Sequence, residues 1–226
     1  MIYAIADLHL DHTEEKSMEV FGEGWKDYQN KIFSNWQDII TEDDTVLIPG
    51  DISWAMDLKM AYIDLKKIDD LKGKKIMMKG NHDYWWSSLN KLNNCNFKSI
   101  EFLQNNSFEV EGYEICGTRG WISRDNPKFD DHDEKVFARE LLRLENSFNT
   151  IDKNLPKIVT LHYPPLDMNS DFNEFFKLCK DHKVEHLIYG HLHGVGHKLI
   201  KEGIYHGIKV KCVAGDYLNF KPERIV

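Results

Sequence analysis

Five short stretches of the chain hold the residue types needed to bind two metal ions: Asp7-Leu8-His9, Gly50-Asp51, Gly80-Asn81-His82-Asp83, Leu161-His162 and Gly190-His191-Leu192-His193. Each lies at or just past the end of an apolar run, namely IYAIA, TVLIP, KIMMK, KIVTL and HLIY. A strand followed at once by a ligand-type side chain is where open α/β sheets place their active sites. In an extended D-x-H segment, alternate residues point the same way, so Asp7 and His9 can share one ion while Leu8 faces the core. His191-Leu192-His193 repeats the device. Gly50 permits the tight turn that would expose Asp51. Asn81 offers a neutral carbonyl oxygen suited to a hard or borderline cation. His162 sits between KIVTL and the stiff exit Pro164-Pro165.

Each stretch has an ordinary reading when taken alone. A D-x-H is usually a turn or cap, and a G-N-H-D is most often a helix entry with Asn or Asp capping the first turn. Five such stretches, all at strand ends, are hard to explain by packing. His132, His182, His186, His197 and His206 lack that setting and read as surface or satisfied core residues. His12, three residues past His9, is a candidate outer-shell group.

Strands and helices must alternate to position these residues. The pattern predicts helices over 28–40, 57–71 and 84–92 between the first three runs, the signature of a largely parallel, covered sheet. Short alternating runs over 99–116 predict antiparallel strands. A long helix follows an acidic start at Asp130, Asp131 and Asp133, with Phe137, Leu141, Leu144, Phe148 and Ile151 at helical spacing. KIVTL, a helix over 171–182, HLIY and several short strands complete the chain. The expected architecture is α/β, with two sheets face to face, helices outside and one active-site edge, in a single domain over 1–226.

The 226 residues carry a net charge of −8, which argues against a large nucleic-acid footprint. No apolar run approaches the ~20 residues that span a bilayer. Met1 leads straight into IYAIA, without the features of a signal peptide. Cys95, Cys116, Cys179 and Cys212 are scattered, as expected of reduced thiols in a cytoplasmic protein.

The series D-x-H, G-D, G-N-H-D, H and G-H-x-H resembles the calcineurin-like metallophosphoesterase superfamily, from Asp7 to His193. The resemblance implies a four-layer α-β-β-α sandwich of two mixed sheets with a dinuclear metal site at the C-terminal strand ends. It also implies one ion held by Asp7, His9, Asp51 and His193, and a second held by Asp51, Asn81, His162 and His191, with Asp51 bridging. His82 would be a catalytic non-ligand that assists the leaving group, and a metal-bridging hydroxide would attack phosphorus. Two divalent cations against two carboxylates leave a centre of about +2, which attracts phosphate despite the acidic chain. Nitrogen and oxygen donors without Cys suit Mn, Fe or catalytic Zn.

One departure bears on substrate. Phosphoprotein phosphatases of the superfamily carry G-D-x-x-D-R-G, whereas Trp54 and Ala55 stand at the D-R positions here. The acidic partner of His82 would then be absent, or supplied by Asp57 or Asp83. Candidate substrate-wall residues are Trp54, Trp85 and, as a phosphate clamp in a Gly-flanked loop over 117–121, Arg119. The reading is a phosphohydrolase for a small or nucleotide-like phosphomono- or phosphodiester. A nuclease of the same superfamily and a catalytically silent interaction module are the alternatives.

Overall fold

Strand β1 (Ile2–Ala4), helix α1 (Tyr28–Ile39), strand β2 (Thr45–Pro49), helix α2 (Leu58–Asp69) and strand β3 (Lys74–Met78) alternate in the computed structural model, which describes residues 1–150 and 154–226. Every residue of β2 is buried, as in a parallel sheet covered on both faces. Helix α1 buries Tyr28, Ile32 and Trp36, one side chain per turn on a single face. Helix α2 starts where Asp57 accepts a hydrogen bond from the Met60 N–H at 2.9 Å.

Three expectations fail beyond β3. The predicted helix over 84–92 shrinks to α3 (Leu89–Asn93), because Tyr84–Trp86 are held in a turn by Asp83. Strand β4 (Ile100–Phe102) pairs parallel to β3 rather than antiparallel. Its alternating burial marks an edge strand with one open face, and alternation carries no information about direction. Only β5 (Phe108–Val110) and β6 (Tyr113–Thr118) form the expected antiparallel pair. Strand β6 also runs through Thr118, so the segment expected as a loop over 117–121 begins inside the sheet.

Helix α4 (Asp131–Phe148) has a capping box formed by Asp130 and Asp133 and buries Phe137, Leu144 and Phe148; Ile151 lies outside the described residues. Strand β7 (Lys157–Leu161), helix α5 (Glu174–Asp181), and strands β8 (His186–Tyr189), β9 (Gly203–Tyr205), β10 (Ile208–Cys212) and β11 (Glu223–Arg224) follow. The first sheet has the order β11-β1-β2-β3-β4 and the second β5-β6-β7-β8-β10-β9. Within them β5, β9 and β11 are antiparallel to their neighbours, so both sheets are mixed.

Three apolar clusters set the layer order. Ile2, Leu47 and Ile76 of the first sheet meet Ile115, Ile158 and Ile188 of the second. Trp36 of α1 and Leu65 of α2 cover the opposite face of the first sheet, and Phe137 of α4 and Phe175 of α5 cover that of the second. The layers therefore run helix, sheet, sheet, helix. All four cysteines are free, with Cys116, Cys179 and Cys212 buried. Among the described residues, no helix is long and apolar enough to cross a membrane.

Leu144→Ala should cost ~2–5 kcal/mol, because it opens a cavity between α4 and the second sheet. Leu142, 60% exposed on the other side of that helix, should tolerate alanine within ~0.5 kcal/mol. Chemical denaturation of the two variants checks the pair.

Candidate metal centre

The five ligand stretches converge at the C-terminal ends of β1, β2, β3, β7 and β8, but not by the extended geometry expected. Asp7, His9, Asp51 and His191 have φ of 59°, 43°, 53° and 74°. Left-handed backbone is uncommon outside glycine, although Asp and His tolerate it better than most residues. The chain reverses sharply on leaving each strand, and the reversal, rather than strand alternation, swings these side chains inward. Gly50 takes the turn at φ 86°. Gly80 is required by proximity, since a Cβ there would stand 2.1 Å from Asp51 Oδ1.

Two groups of potential ligands result, Asp7 with His9 and His193, and Asp51 with His162 and His191, each with its donor atoms within 4.8 Å of one another. The carboxylates are held in the same manner. Asp7 Oδ2 accepts from the His191 N–H at 2.9 Å, and Asp51 Oδ1 accepts from the His82 N–H at 2.7 Å. The remaining oxygens face the histidines. Asp7 Oδ1 lies 3.5 Å from His193 Nε2, and Asp51 Oδ2 lies 3.7 Å from His9 Nε2 and 3.4 Å from His162 Nε2. Asn81 Oδ1 is 2.6 Å from His162 Nε2, which places the amide at the second group.

The histidines are aimed from behind. His162 Nδ1 lies 2.9 Å from the Pro49 carbonyl, and His193 Nδ1 lies 2.8 Å from Asp216 Oδ1. Both contacts leave Nε2 toward the cluster, the usual outer support of metal-ligating histidines. Asp216 was not found from the sequence. Its signal is a Gly-Asp pair just past β10, the same pattern as Gly50-Asp51. His197, expected to be a surface or satisfied core residue, has Nε2 3.1 Å from Asp216 Oδ2 but makes no hydrogen bond through it among the described residues. His12 touches no proposed ligand; it faces Asp64, which also accepts from the Ser53 hydroxyl.

Burial in the cluster lowers His9 to about 4 and His191 to about 3, against the pull of Asp51 and Asp7. Burial also lowers His162 and His193, but the adjacent carboxylates reverse it and carry them to about 9 and about 10. Two carboxylates thus create a field that favours added positive charge.

Asp83 organises the loops. Its carboxylate accepts from the N–H groups of Asp51, Ile52, Ser53 and Gly80 at 2.8–3.2 Å and from Trp85 Nε1 at 3.0 Å. Burial and the Asp51 carboxylate push Asp83 up to about 6, against these donors. It is therefore not the acidic partner of His82, and Asp57, engaged as a helix cap, is not either. Buried His82 Nδ1 has no hydrogen-bond partner among the described residues. The His82 ring packs 4.5 Å from Trp54, which stacks on His9 at 4.9 Å. Trp54 thus borders the cluster. Trp85 does not: it is 2% exposed, tied to Asp83 and packed in the first-sheet core, so it is no substrate wall. Arg119 turns away to Glu140, although its carbonyl accepts from the His162 N–H at 3.1 Å.

The calcineurin-like phosphoesterase family model matches residues 1–195. The chain belongs to that family. A protein of unknown function from Aquifex aeolicus is similar in fold, with 18% identity, a TM-score of 0.52, and coverage of 99% of this chain and 94% of the other. A phosphopantetheinyl hydrolase from Mycobacterium tuberculosis is similar at 15% identity and a TM-score of 0.57, with 94% and 88% covered. No curated protein matches the sequence. The family usually binds divalent metals, and the residues present fit them: buried Asp7 Oδ1 has no hydrogen-bond donor among the described residues and faces the imidazoles.

Metal uptake near pH 7.5 should release about two protons, because His162 and His193 are protonated there without metal and must be neutral to ligate. Calorimetry in buffers of different ionisation enthalpy reads this directly. Asp83→Ala should destabilise the protein by at least ~3 kcal/mol, since it strands buried N–H donors that now meet a charged acceptor. A loss below ~1 kcal/mol in urea unfolding would contradict the role given to Asp83.

Proposed function

We propose that residues 1–226 act as one dinuclear-metal phosphoesterase that hydrolyses a small or nucleotide-like phosphomono- or phosphodiester. The observation that carries this reading is Asp51 Oδ2, which stands within 4 Å of a histidine from each ligand group. Asp7, His9, Asp51 and His193 would hold one divalent ion, and Asp51, Asn81, His162 and His191 the other. Bound there, such a pair supplies Lewis acidity, which lowers the pKa of water and clamps phosphoryl oxygens.

The protein's own groups account for the rest. Asp7 and Asp51 each spend one oxygen on a backbone N–H, which fixes the direction of the other. Trp54 packs against His9 and His82 and shields that side of the cluster from water. His82 is half-buried, and burial holds it below the ordinary histidine value. In this reading the His82 ring would donate a proton to a departing alkoxide once an anionic ester raises its proton affinity. Trp54 and Ala55 where phosphoprotein phosphatases carry Asp-Arg favour small esters over phosphoproteins.

The direct test adds Mn, Fe or Zn to chelated protein and measures hydrolysis of p-nitrophenyl phosphate, its bis ester and its phenylphosphonate ester. Activity restored by metal on at least one ester is expected, with close to two ions bound per chain. No uptake, or phosphopeptides as the best substrates by kcat/KM, would overturn the reading. His82→Ala should retain both ions while kcat falls ~10²-fold or more. The loss should be smaller for p-nitrophenyl esters than for alkyl esters, because p-nitrophenolate departs without a proton. Equal losses would assign His82 to phosphate positioning instead.

A further inference from the structure

Beside the ligand cluster, at the C-terminal ends of β3, β4 and β6, lies a cavity of about 350 Å³ lined by Lys79, Trp86, Gln104, Arg119, Glu140 and Arg143, among others. Its walls are continuous with the metal-ligand loops. Lys79 precedes Gly80-Asn81, and the Arg119 carbonyl accepts the N–H groups of His162 and Tyr163.

The charge in this cavity is unbalanced. Glu140, from α4, is fully buried and accepts from Thr118 Oγ1 at 2.6 Å, Arg143 at 2.6 Å and Arg119 at 3.4 Å. One carboxylate thus serves two guanidinium groups. Lys79 makes no hydrogen bond or ion pair among the described residues, yet it is half-buried beside those same cations. The carboxylates that act on it across space are those of Asp83 and Glu140. The Asp83 carboxylate is already occupied by its five N–H donors. The Arg119 guanidinium stacks on Trp121 at 4.2 Å, and its buried Nε–H has no acceptor among the described residues. Three cations face one carboxylate. Holding surplus positive charge in a partly desolvated cavity is costly unless an anion joins it.

We propose that this cavity is a second anion-binding subsite, which takes a phosphate, sulfate or carboxylate group held by Lys79 and Arg119. The group belongs either to the distal end of the phosphoester substrate or to a free anion beside it. The first case deepens the phosphoesterase reading by making the substrate doubly anionic.

Sulfate is the probe, titrated into zinc-loaded protein while NMR follows the Arg119 Nε–Hε resonance. A saturable shift is expected. Lys79→Gln should weaken binding at least ~10-fold, the loss of one charge-assisted hydrogen bond, whereas Lys79→Arg should stay close to the native affinity. Arg143→Gln serves as a second variant if Lys79→Gln fails to fold, and metal content checks that the centre is intact. Absence of saturation, or an affinity unmoved by these substitutions, overturns the proposal. KM values for p-nitrophenyl nucleotide esters with and without a distal phosphate then separate the sources. A selective rise in KM for the doubly phosphorylated ester in Lys79→Gln assigns the subsite to substrate, and equal values assign it to a free anion. Sulfate binding needs no turnover, so an inactive protein that still binds sulfate would refute the phosphoesterase reading and leave the subsite standing.

Discussion

One buried carboxylate ties the active edge together. Asp83 gathers the N–H groups of Asp51, Ile52, Ser53 and Gly80 and the indole of Trp85. The loops leaving β2 and β3 have few other means of satisfying these backbone donors, because both are buried away from water. Asp83 substitutes for that water. With the loops joined, Gly80 lies against Asp51 so closely that no side chain fits between them. The His82 N–H then meets Asp51 Oδ1, and Asp51 Oδ2 is left facing histidines from both groups. Positioning of the proposed bridging ligand thus follows from a side chain that binds no metal itself.

Local charge at the cluster is set apart from that of the chain as a whole. The net charge of −8 governs long-range behaviour, whereas local chemistry depends on who faces whom within a few ångströms. Asp7 and Asp51 raise His162 and His193, while burial, helped by the neighbouring imidazoles, lowers His9 and His191. The cavity around Lys79, Arg119 and Arg143 adds positive charge on the adjoining side. Both features occupy the strand ends, where the backbone at Asp7, His9, Asp51 and His191 is held in the sparsely populated left-handed region. Such strain persists where the surroundings over-determine it, as at functional sites.

Support for the ligands comes from segments far apart in the chain. The Pro49 carbonyl orients His162, and Asp216 orients His193 while also contacting His197. Trp54, one of two residues standing where phosphoprotein phosphatases carry Asp-Arg, packs against His9 and His82. An aromatic wall thus occupies a place where those enzymes carry a charged one, which changes the solvation of the site.

Residue chemistry and strand placement were legible in the sequence for a simple reason. Donor type belongs to the residue itself, and apolar runs such as TVLIP and KIVTL announce their own burial. Those two facts locate all five candidate ligand stretches at strand ends and predict two sheets flanked by helices. Partner choice was not legible. Nothing local distinguishes Asp83, which ties two loops together, from Asp57, which caps a helix, or Trp85 in the core from Trp54 beside the cluster. The left-handed ligand backbones, the direction of β4, and the turn of Arg119 toward Glu140 escaped for the same reason. Each is decided by which distant segment supplies the missing hydrogen bond or charge, and that is settled only when the two sheets pack together.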